Sequence, residues 1–399
     1  MPSSQTPSAE APLPSERRAR LIARVRETGS ARVSDLSRVL GVTPVTVRRD
    51  LALLVADGTL EKVHGGARIP ARSAGLGAYT GASTGIAQPD PASAGRVDQL
   101  TIGMVVPSIE YYWPEVIRGA RDAARGEVRL ILRGASYEVD QVRRQVAALV
   151  GEDGGPGVDG LLVAPPVDGP EAAELGEWLA GLSVPVVLME RRLATGPYRE
   201  PLESVATDHA LGSGVATRHM AERGHRRVGL VTSRTSPTSA AVRRGFLAVA
   251  DELGLDVVVD LETVPMFDAD WADEAASVLD RCAETGATAL IVHSDREAIS
   301  LVEQAQERGV RVPADLAVIA YDDEVAGLAD PPLTAVRPPK AAIGAGALEL
   351  LLRRLAARAD AMASPGSDGG DAVTGADRPV HRIELSPRLI VRASSAPRG

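Results

Sequence analysis

Between residues 101 and 321 short apolar runs alternate with amphipathic stretches, and this alternation constrains the fold more than any other feature of the chain. The runs lie at 101–107, 128–133, 160–165, 184–190, 227–232, 257–264, 288–293 and 316–321. Helical spacing of apolar residues fills the gaps at 114–125, 141–150, 170–182, 210–223, 240–253, 271–285 and 296–308. A strand that reaches the next strand through a helix pairs with it in parallel, so the sheets are expected to be parallel and covered by helices on both faces. Strands of about six residues, repeated this often, suit two lobes better than one sheet.

A chain of 399 residues exceeds one small core, and 44% hydrophobic residues suffice for more than one packed interior. No apolar run approaches the ~18–20 residues needed to cross a bilayer. The opening MPSSQTPSAEAPLP has neither a basic start nor an apolar core, so it does not read as a secretory signal. The single cysteine, Cys282, rules out an internal disulfide and a cysteine metal cage. A cytoplasmic protein is expected. The net charge of −9 is unevenly divided: residues 15–70 hold eleven Arg and Lys against six Asp and Glu, leaving an acidic remainder. A basic module on an acidic body points to an anionic partner such as nucleic acid.

That basic module has a compact pattern. Leu21, Ile22 and Val25 make one helical face, closed by Gly29. Val33, Leu36, Val39 and Leu40 make a second, closed by Gly41. Thr43 is a good N-cap before Pro44 at the first helical position, and Val47, Leu51 and Leu54 form the buried face of a third helix. Residues 59–64 and 67–69 can pair as a hairpin around Gly65-Gly66. Three helices and a hairpin of these lengths make a winged helix-turn-helix, whose third helix enters the DNA major groove. Thr43, Val45, Thr46, Arg48 and Arg49 are the candidate DNA contacts on that helix, with Lys62 and His64 on the wing. The same module could instead bind protein. Residues 71–100, rich in Gly, Ala, Ser and Pro, read as a flexible linker.

In parallel α/β folds, ligands sit off the carboxyl ends of the strands. After the first run comes Tyr111-Tyr112-Trp113, three of the chain's eleven aromatic residues in succession, as a ring platform would need. Later runs end in Glu190-Arg191-Arg192, Ser294-Asp295 and Asp322-Asp323. Carboxylates and a guanidinium converging on a cleft can take the hydroxyls of a polyol in pairs.

Residues 17–67, including Val45–Leu51 and the closing His64-Gly65-Gly66-Ala67, resemble the DeoR-type winged helix. From about residue 101 to 395 the order of Gly103-Met104-Val105-Val106-Pro107, Val158-Asp159-Gly160, Gly224-His225-Arg226, Asp322-Asp323 and Asp330-Pro331-Pro332-Leu333-Thr334 resembles the LacI-type sensor, itself similar to periplasmic sugar-binding proteins. The resemblance implies a multidomain chain: a small α+β winged helix-turn-helix at 15–70, a linker at 71–100, and a two-lobed α/β sensor with parallel sheets at 101–396. It implies lobe 1 at about 101–206 and 334–358, and lobe 2 at about 207–333 and 382–396, with 359–379 as a disordered insertion. It also implies a homodimer on double-stranded operator DNA, with a sugar or related polyol between the lobes. By position, Tyr111, Trp113, Glu190, Arg191, Phe267, Ser294 and Asp322 fall where that family contacts its effector. Glu190 stands where Asp is usual and Ser294 where Asn is common, which shifts the reach of both groups. The family's own helix-turn-helix and hinge helix are replaced by the DeoR-type module and linker.

Gly212-Ser213-Gly214 and Gly344-Ala345-Gly346 lie inside helical patterns, so small-residue packing explains them better than nucleotide binding does. The six His residues show no metal-ligand spacing and no triad is recognisable, so neither cofactor nor metal is expected. The reading is a non-enzymatic, ligand-responsive repressor of carbohydrate-related genes. The alternative is a sugar-phosphate enzyme, or a sugar-phosphate sensor with an isomerase-like body, since many DeoR-type proteins carry one.

Overall fold

The structure, a computed structural model, describes residues 24, 30–40, 47, 51, 61–63 and 66–68, then 99–151, 157–363 and 379–396. The chain divides into two units, Met1–Ala94 and Gly95–Gly399.

In the first unit, β1 (Ser30–Arg32) leads into α1 (Val33–Leu40), and β2 (Glu61–Val63) and β3 (Gly66–Arg68) form the hairpin. The antiparallel order is β1-β3-β2, so the wing has a third strand where a simple connection between helices was expected. Leu36, Val47 and Leu51 are buried as their spacing required. Val39 is 60% exposed, contrary to expectation. It sits about 60° around the helix from Leu36, and a two-turn helix buries only a narrow stripe. Lys62 lies on β2 opposite Ala67. Thr43, Val45, Thr46, Arg48, Arg49 and His64 fall outside the described residues, as do the amino-terminal tail and most of the linker.

In the second unit, lobe 1 begins with β4 (Thr101–Val106), α2 (Trp113–Ala124), β5 (Arg129–Gly134), α3 (Val139–Val150), β6 (Gly160–Val163), α4 (Pro170–Ala180) and β7 (Val186–Met189). A small hairpin, β8 (Ala194–Thr195) and β9 (Glu200–Pro201), precedes β10 (Ser204–Thr207). Lobe 2 follows with α5 (His209–Glu222), β11 (Arg227–Ser233), α6 (Ser239–Glu252), β12 (Asp256–Thr263), α7 (Trp271–Thr285), β13 (Ala289–Val292), α8 (Asp295–Glu307), β14 (Ala317–Tyr321) and β15 (Thr334–Arg337). The chain ends with α9 (Lys340–Ala363), β16 (Arg382–Leu385) and β17 (Arg388–Ile390).

The lobe 1 sheet is wholly parallel, in the order β16-β10-β7-β6-β4-β5. The lobe 2 sheet runs β12-β11-β13-β14-β15-β17, parallel except for its last pair. Central strands such as β6, β7, β13 and β14 are buried along their whole length, which is why they read as continuous apolar runs.

The lobe boundaries differ from those expected. Residues 334–337 form β15 inside the lobe 2 sheet, and residues 382–385 form β16 at the edge of lobe 1. The chain therefore crosses between lobes three times, between β10 and α5, between β15 and α9, and between β16 and β17. Each last strand pairs with a strand far away in sequence (Val205 opposite Ile383, Val336 opposite Leu389), so local pattern could not assign them. The helix α9 also continues to Ala363, into the stretch read as an insertion, of which residues 364–378 lie outside the described residues.

The glycine-rich helical segments are packing devices. A Cβ on Gly245 of α6 would lie 2.0 Å from the Ala210 carbonyl oxygen of α5. One on Gly212 would lie 2.6 Å from the Tyr321 hydroxyl. Asp208 caps α5, its Oδ1 accepting from the Leu211 N–H at 2.9 Å.

Candidate functional site

The carboxyl ends of both sheets face a cavity of about 270 Å³ between the lobes. Tyr111, Tyr112, Trp113, Tyr137 and Arg191 line it from lobe 1. Ser233, Thr235, Thr238, His293, Ser294 and Asp322 line it from lobe 2, with His209 at the first crossover.

The loop after β4 supplies the aromatic wall, each ring with a different task. Trp113 opens α2 and is only 2% exposed, so most of its ring belongs to the lobe 1 core. Tyr112 takes a positive φ of 66° and donates its hydroxyl to Glu190 Oε1 at 2.5 Å. Tyr111 reaches across the cleft, 3.4 Å from Asp322 Oδ2, and the Arg296 guanidinium lies 4.5 Å from its ring centroid. Burial and the facing carboxylates raise the Tyr111 and Tyr112 hydroxyls above their ordinary range, so both stay donors.

Glu190 does not face the main cavity as a hydroxyl acceptor. Its carboxylate takes the Thr207 N–H at 2.9 Å, the Thr207 hydroxyl at 2.8 Å and the Tyr112 hydroxyl. His209 Nε2 stands 3.6 Å from its Oε2. Burial pushes this carboxyl up, but His209, Tyr112 and Thr207 together hold it down at about 2. Asp295 is likewise turned inward: it accepts from the backbone N–H groups of Asp323, Glu324, Val325 and Ala326. Asp323 pairs with Arg337 and Arg392, and Arg192 pairs with Glu384.

Asp322 remains available to a ligand. It ends β14 with a φ of 94°, and its carbonyl accepts from Lys340 Nζ at 2.6 Å. Burial raises its carboxyl to about 6, against the pull of Lys340 and His209. Ser294 caps α8 and donates its hydroxyl to Glu297 at 2.6 Å. His293 bonds Thr238 through Nε2 at 3.2 Å, and burial lowers it to about 4, which keeps the ring neutral.

Of the expected effector residues, the structure brings Tyr111, Trp113, Arg191, Ser294 and Asp322 together on one cavity. Phe267 is 76% exposed and outside that lining, its ring 5.3 Å from Arg296. Tyr137, His209, His293 and the hydroxyls at 233–238 line the cavity but were not among the expected contacts, and Tyr112 was expected only as part of the ring platform. The run Ser233-Arg234-Thr235-Ser236-Pro237-Thr238, at the end of an apolar strand, is the signal that could have revealed them. Among the described residues no group of His, Cys, Asp and Glu could hold a metal, and no helix is long and apolar enough to cross a membrane.

Asp322 gives a signed pH prediction. Its carboxyl is raised from the ordinary ~3.9. The contribution this makes to stability is therefore present at low pH and lost as pH rises through about 6. Asp322→Asn is expected to raise the melting temperature at pH 8 and to give almost no gain at pH 3.5, below the ordinary carboxylate value. Thermal melts of both proteins across that range check it, and a pH-independent difference would exclude the buried charge as its cause.

Two family models match. The model of a DeoR-like helix-turn-helix domain covers residues 17–73, and that of a periplasmic binding protein-like domain covers residues 217–395. The chain joins a DeoR-like helix-turn-helix domain to a periplasmic binding protein-like domain. The arabinose metabolism transcriptional repressor of Geobacillus stearothermophilus is 26% identical over 78% of this chain and 81% of its own length. The transcriptional repressor PurR of Vibrio atlanticus is 28% identical over 82% of this chain and 92% of its own. A LacI family regulator from Mycobacterium smegmatis superposes with a TM-score of 0.56 at 25% identity, covering 75% of this chain and all of that one. One from Enterococcus faecium, solved with ribose bound, does so with a TM-score of 0.55 at 22% identity, covering 74% and 99%. The periplasmic binding protein-like domain is thus the body expected from the sequence, rather than an isomerase-like one.

Proposed function

We propose that this chain is a ligand-responsive, DNA-binding transcription repressor. Its periplasmic binding protein-like domain takes a small polyhydroxylated effector, sugar-like in chemistry, in the interlobe cleft, and it works in the cytoplasm as a homodimer on operator DNA. The observation that carries this reading is the cleft itself: hydroxyl donors and acceptors from both lobes converge on one cavity, in a chain that also holds a DeoR-like helix-turn-helix domain. The relatives named repressors support it.

A ligand touching both lobes favours whichever lobe arrangement lets it make both sets of contacts, and it shifts DNA affinity only by that difference, typically ~1–3 kcal/mol. Tyr111 and Asp322 already meet across the cleft, so an effector here competes with or reinforces a contact between lobes.

Gel retardation of the DNA upstream of the protein's own gene tests the reading. Specific retardation at moderate salt, altered by an effector found in a thermal-shift screen of sugars and polyols, is the expected result; no specific complex would overturn it. Arg49→Ala is expected to cost ~1–3 kcal/mol of operator affinity if that side chain reads a guanine. Unchanged affinity would remove Arg49 from the reading set.

A further inference from the structure

Lys340 is a cation buried where the chain re-enters lobe 1. It opens α9 directly after the second crossover and is 2% exposed. Its Nζ reaches back into lobe 2, donating to the Asp322 carbonyl at 2.6 Å and standing 2.5 Å from Glu324 Oε1. Lobe 1 offers the same ammonium a second set of partners. Glu115 Oε2 of α2 lies 4.0 Å away, and the Tyr112 ring centroid 5.3 Å away.

The two sets belong to bodies that move apart when the lobes rotate. Beside Lys340, α9 and α2 are in backbone contact, since a Cβ on Gly119 would lie 1.9 Å from the Ala341 carbonyl oxygen. Lys340, Glu115 and Tyr112 therefore stay together in any lobe rotation. Asp322 and Glu324 travel with lobe 2, on the loop that leaves β14, where Asp295 of α8 holds the Glu324 N–H at 2.5 Å. A rotation that parts the lobes takes Glu324 and the Asp322 carbonyl away from Nζ and leaves Glu115 as the carboxylate beside it.

A buried ammonium that loses one counter-charge needs another, because an unmatched charge in the interior is strongly destabilising. Resting on the interlobe cleft being the effector site, we propose that Lys340 is a two-position latch between the lobes: paired with Glu324 and the Asp322 carbonyl in the arrangement described here, and with Glu115 when the lobes part. Glu115 binds Arg118 through Oε1 at 2.6 Å, which leaves Oε2 on the Lys340 side. The neighbouring carboxylates are committed elsewhere: Asp323 holds Arg337 and Arg392, and Glu190 is bonded to Tyr112 and Thr207 and paired with His209. The latch grips the backbone of Asp322, whose carboxylate faces the cavity, so an effector seated on Asp322 and a rotation of the lobes bear on the same loop. The balance between the two glutamates sets the resting population of each lobe arrangement, and with it the apparent affinity for an effector that needs one of them.

The two glutamates give the test its sign. Glu324→Gln weakens the pairing of the present arrangement and Glu115→Gln that of the parted one. The two variants are expected to shift the lobe equilibrium in opposite directions, each by at least about fivefold. Spin labels at Tyr198→Cys in lobe 1 and Asp251→Cys in lobe 2, both exposed, report the interlobe distance by double electron–electron resonance. The full-length protein is used, with Cys282→Ala to remove the native thiol. Labelled chains diluted into unlabelled ones keep the measured distance within one protomer. Both glutamine effects are expected to vanish in a Lys340→Met background, because each acts through the ammonium. Should Lys340→Met fail to fold, the glutamine pair alone decides. Shifts of the same sign, no shift in either folded variant, or glutamine effects that persist without Lys340 would overturn the latch. Retardation of the upstream DNA by the native protein is scored separately: its absence would overturn the regulator reading, while the distances still decide the latch.

Discussion

Asp295→Ala is expected to destabilise the periplasmic binding protein-like domain by about 3–5 kcal/mol, because buried donors would lose their acceptor. One carboxylate at the start of α8 accepts four consecutive backbone N–H groups, from Asp323 at 3.1 Å, Glu324 at 2.5 Å, Val325 at 2.9 Å and Ala326 at 3.2 Å. Asp295 is fully buried, so water cannot easily replace it. Burial and the Asp322 charge raise its carboxyl to about 7 even against the bonds from Val325, Glu324 and Asp323, so near neutral pH part of the population is protonated. Asp295→Asn keeps one oxygen and relieves repulsion with Asp322, so it is expected to lose about half as much. The functional effect exceeds the stability effect, because the clamped loop starts immediately after Asp322. Urea denaturation measures the first, and effector titration of the folded variant the second. A loss below about 1 kcal/mol for the alanine variant would show that the loop holds itself.

Gly344→Ala is expected to cost at least about 3 kcal/mol, beyond ordinary overpacking of a core, since the clash is with backbone. A Cβ there would lie 1.9 Å from the Val116 carbonyl oxygen of α2 and 2.9 Å from the Ala120 nitrogen. The notch is reciprocal: a Cβ on Gly119 of α2 would lie 1.9 Å from the Ala341 carbonyl oxygen of α9. Neither helix can yield by a side-chain rotation. Gly346 supplies the control from two residues away, where the nearest atom would be 3.5 Å distant, on the Val205 side chain. Gly346→Ala is expected to be neutral or to gain up to about 1 kcal/mol from helix propensity. Because α2 begins at Trp113, a shift of α2 also displaces the aromatic wall of the cleft. Paired melting curves and effector affinities of the two variants check this. Equal stabilities would mean the two helices do not meet as closely as described.

The regular elements of both lobes were legible because apolar periodicity records how a segment is buried. A central parallel strand such as β13 is apolar throughout, and α7 shows its buried Ala275, Val278, Leu279 and Cys282 at helical spacing. The two-part architecture was equally legible, since the basic helix-turn-helix pattern and the strand–helix alternation differ in charge and period. Element ends were close to the structure for the same reason.

Sequence by itself thus determined the two domains, the parallel sheets and the segments that end at the cleft. Tertiary structure alone decided which way the polar groups at those ends turn. Glu190, Asp295 and Asp322 look alike in the chain, yet Thr207, Tyr112 and His209 capture the first, four backbone donors capture the second, and only the third faces the cavity with capacity to spare. The same holds for β15 and β16, whose lobes are set by strands more than a dozen residues away. Burial is written locally, as period and apolarity, whereas the partner of a charge or of an edge strand is a property of what lies across space.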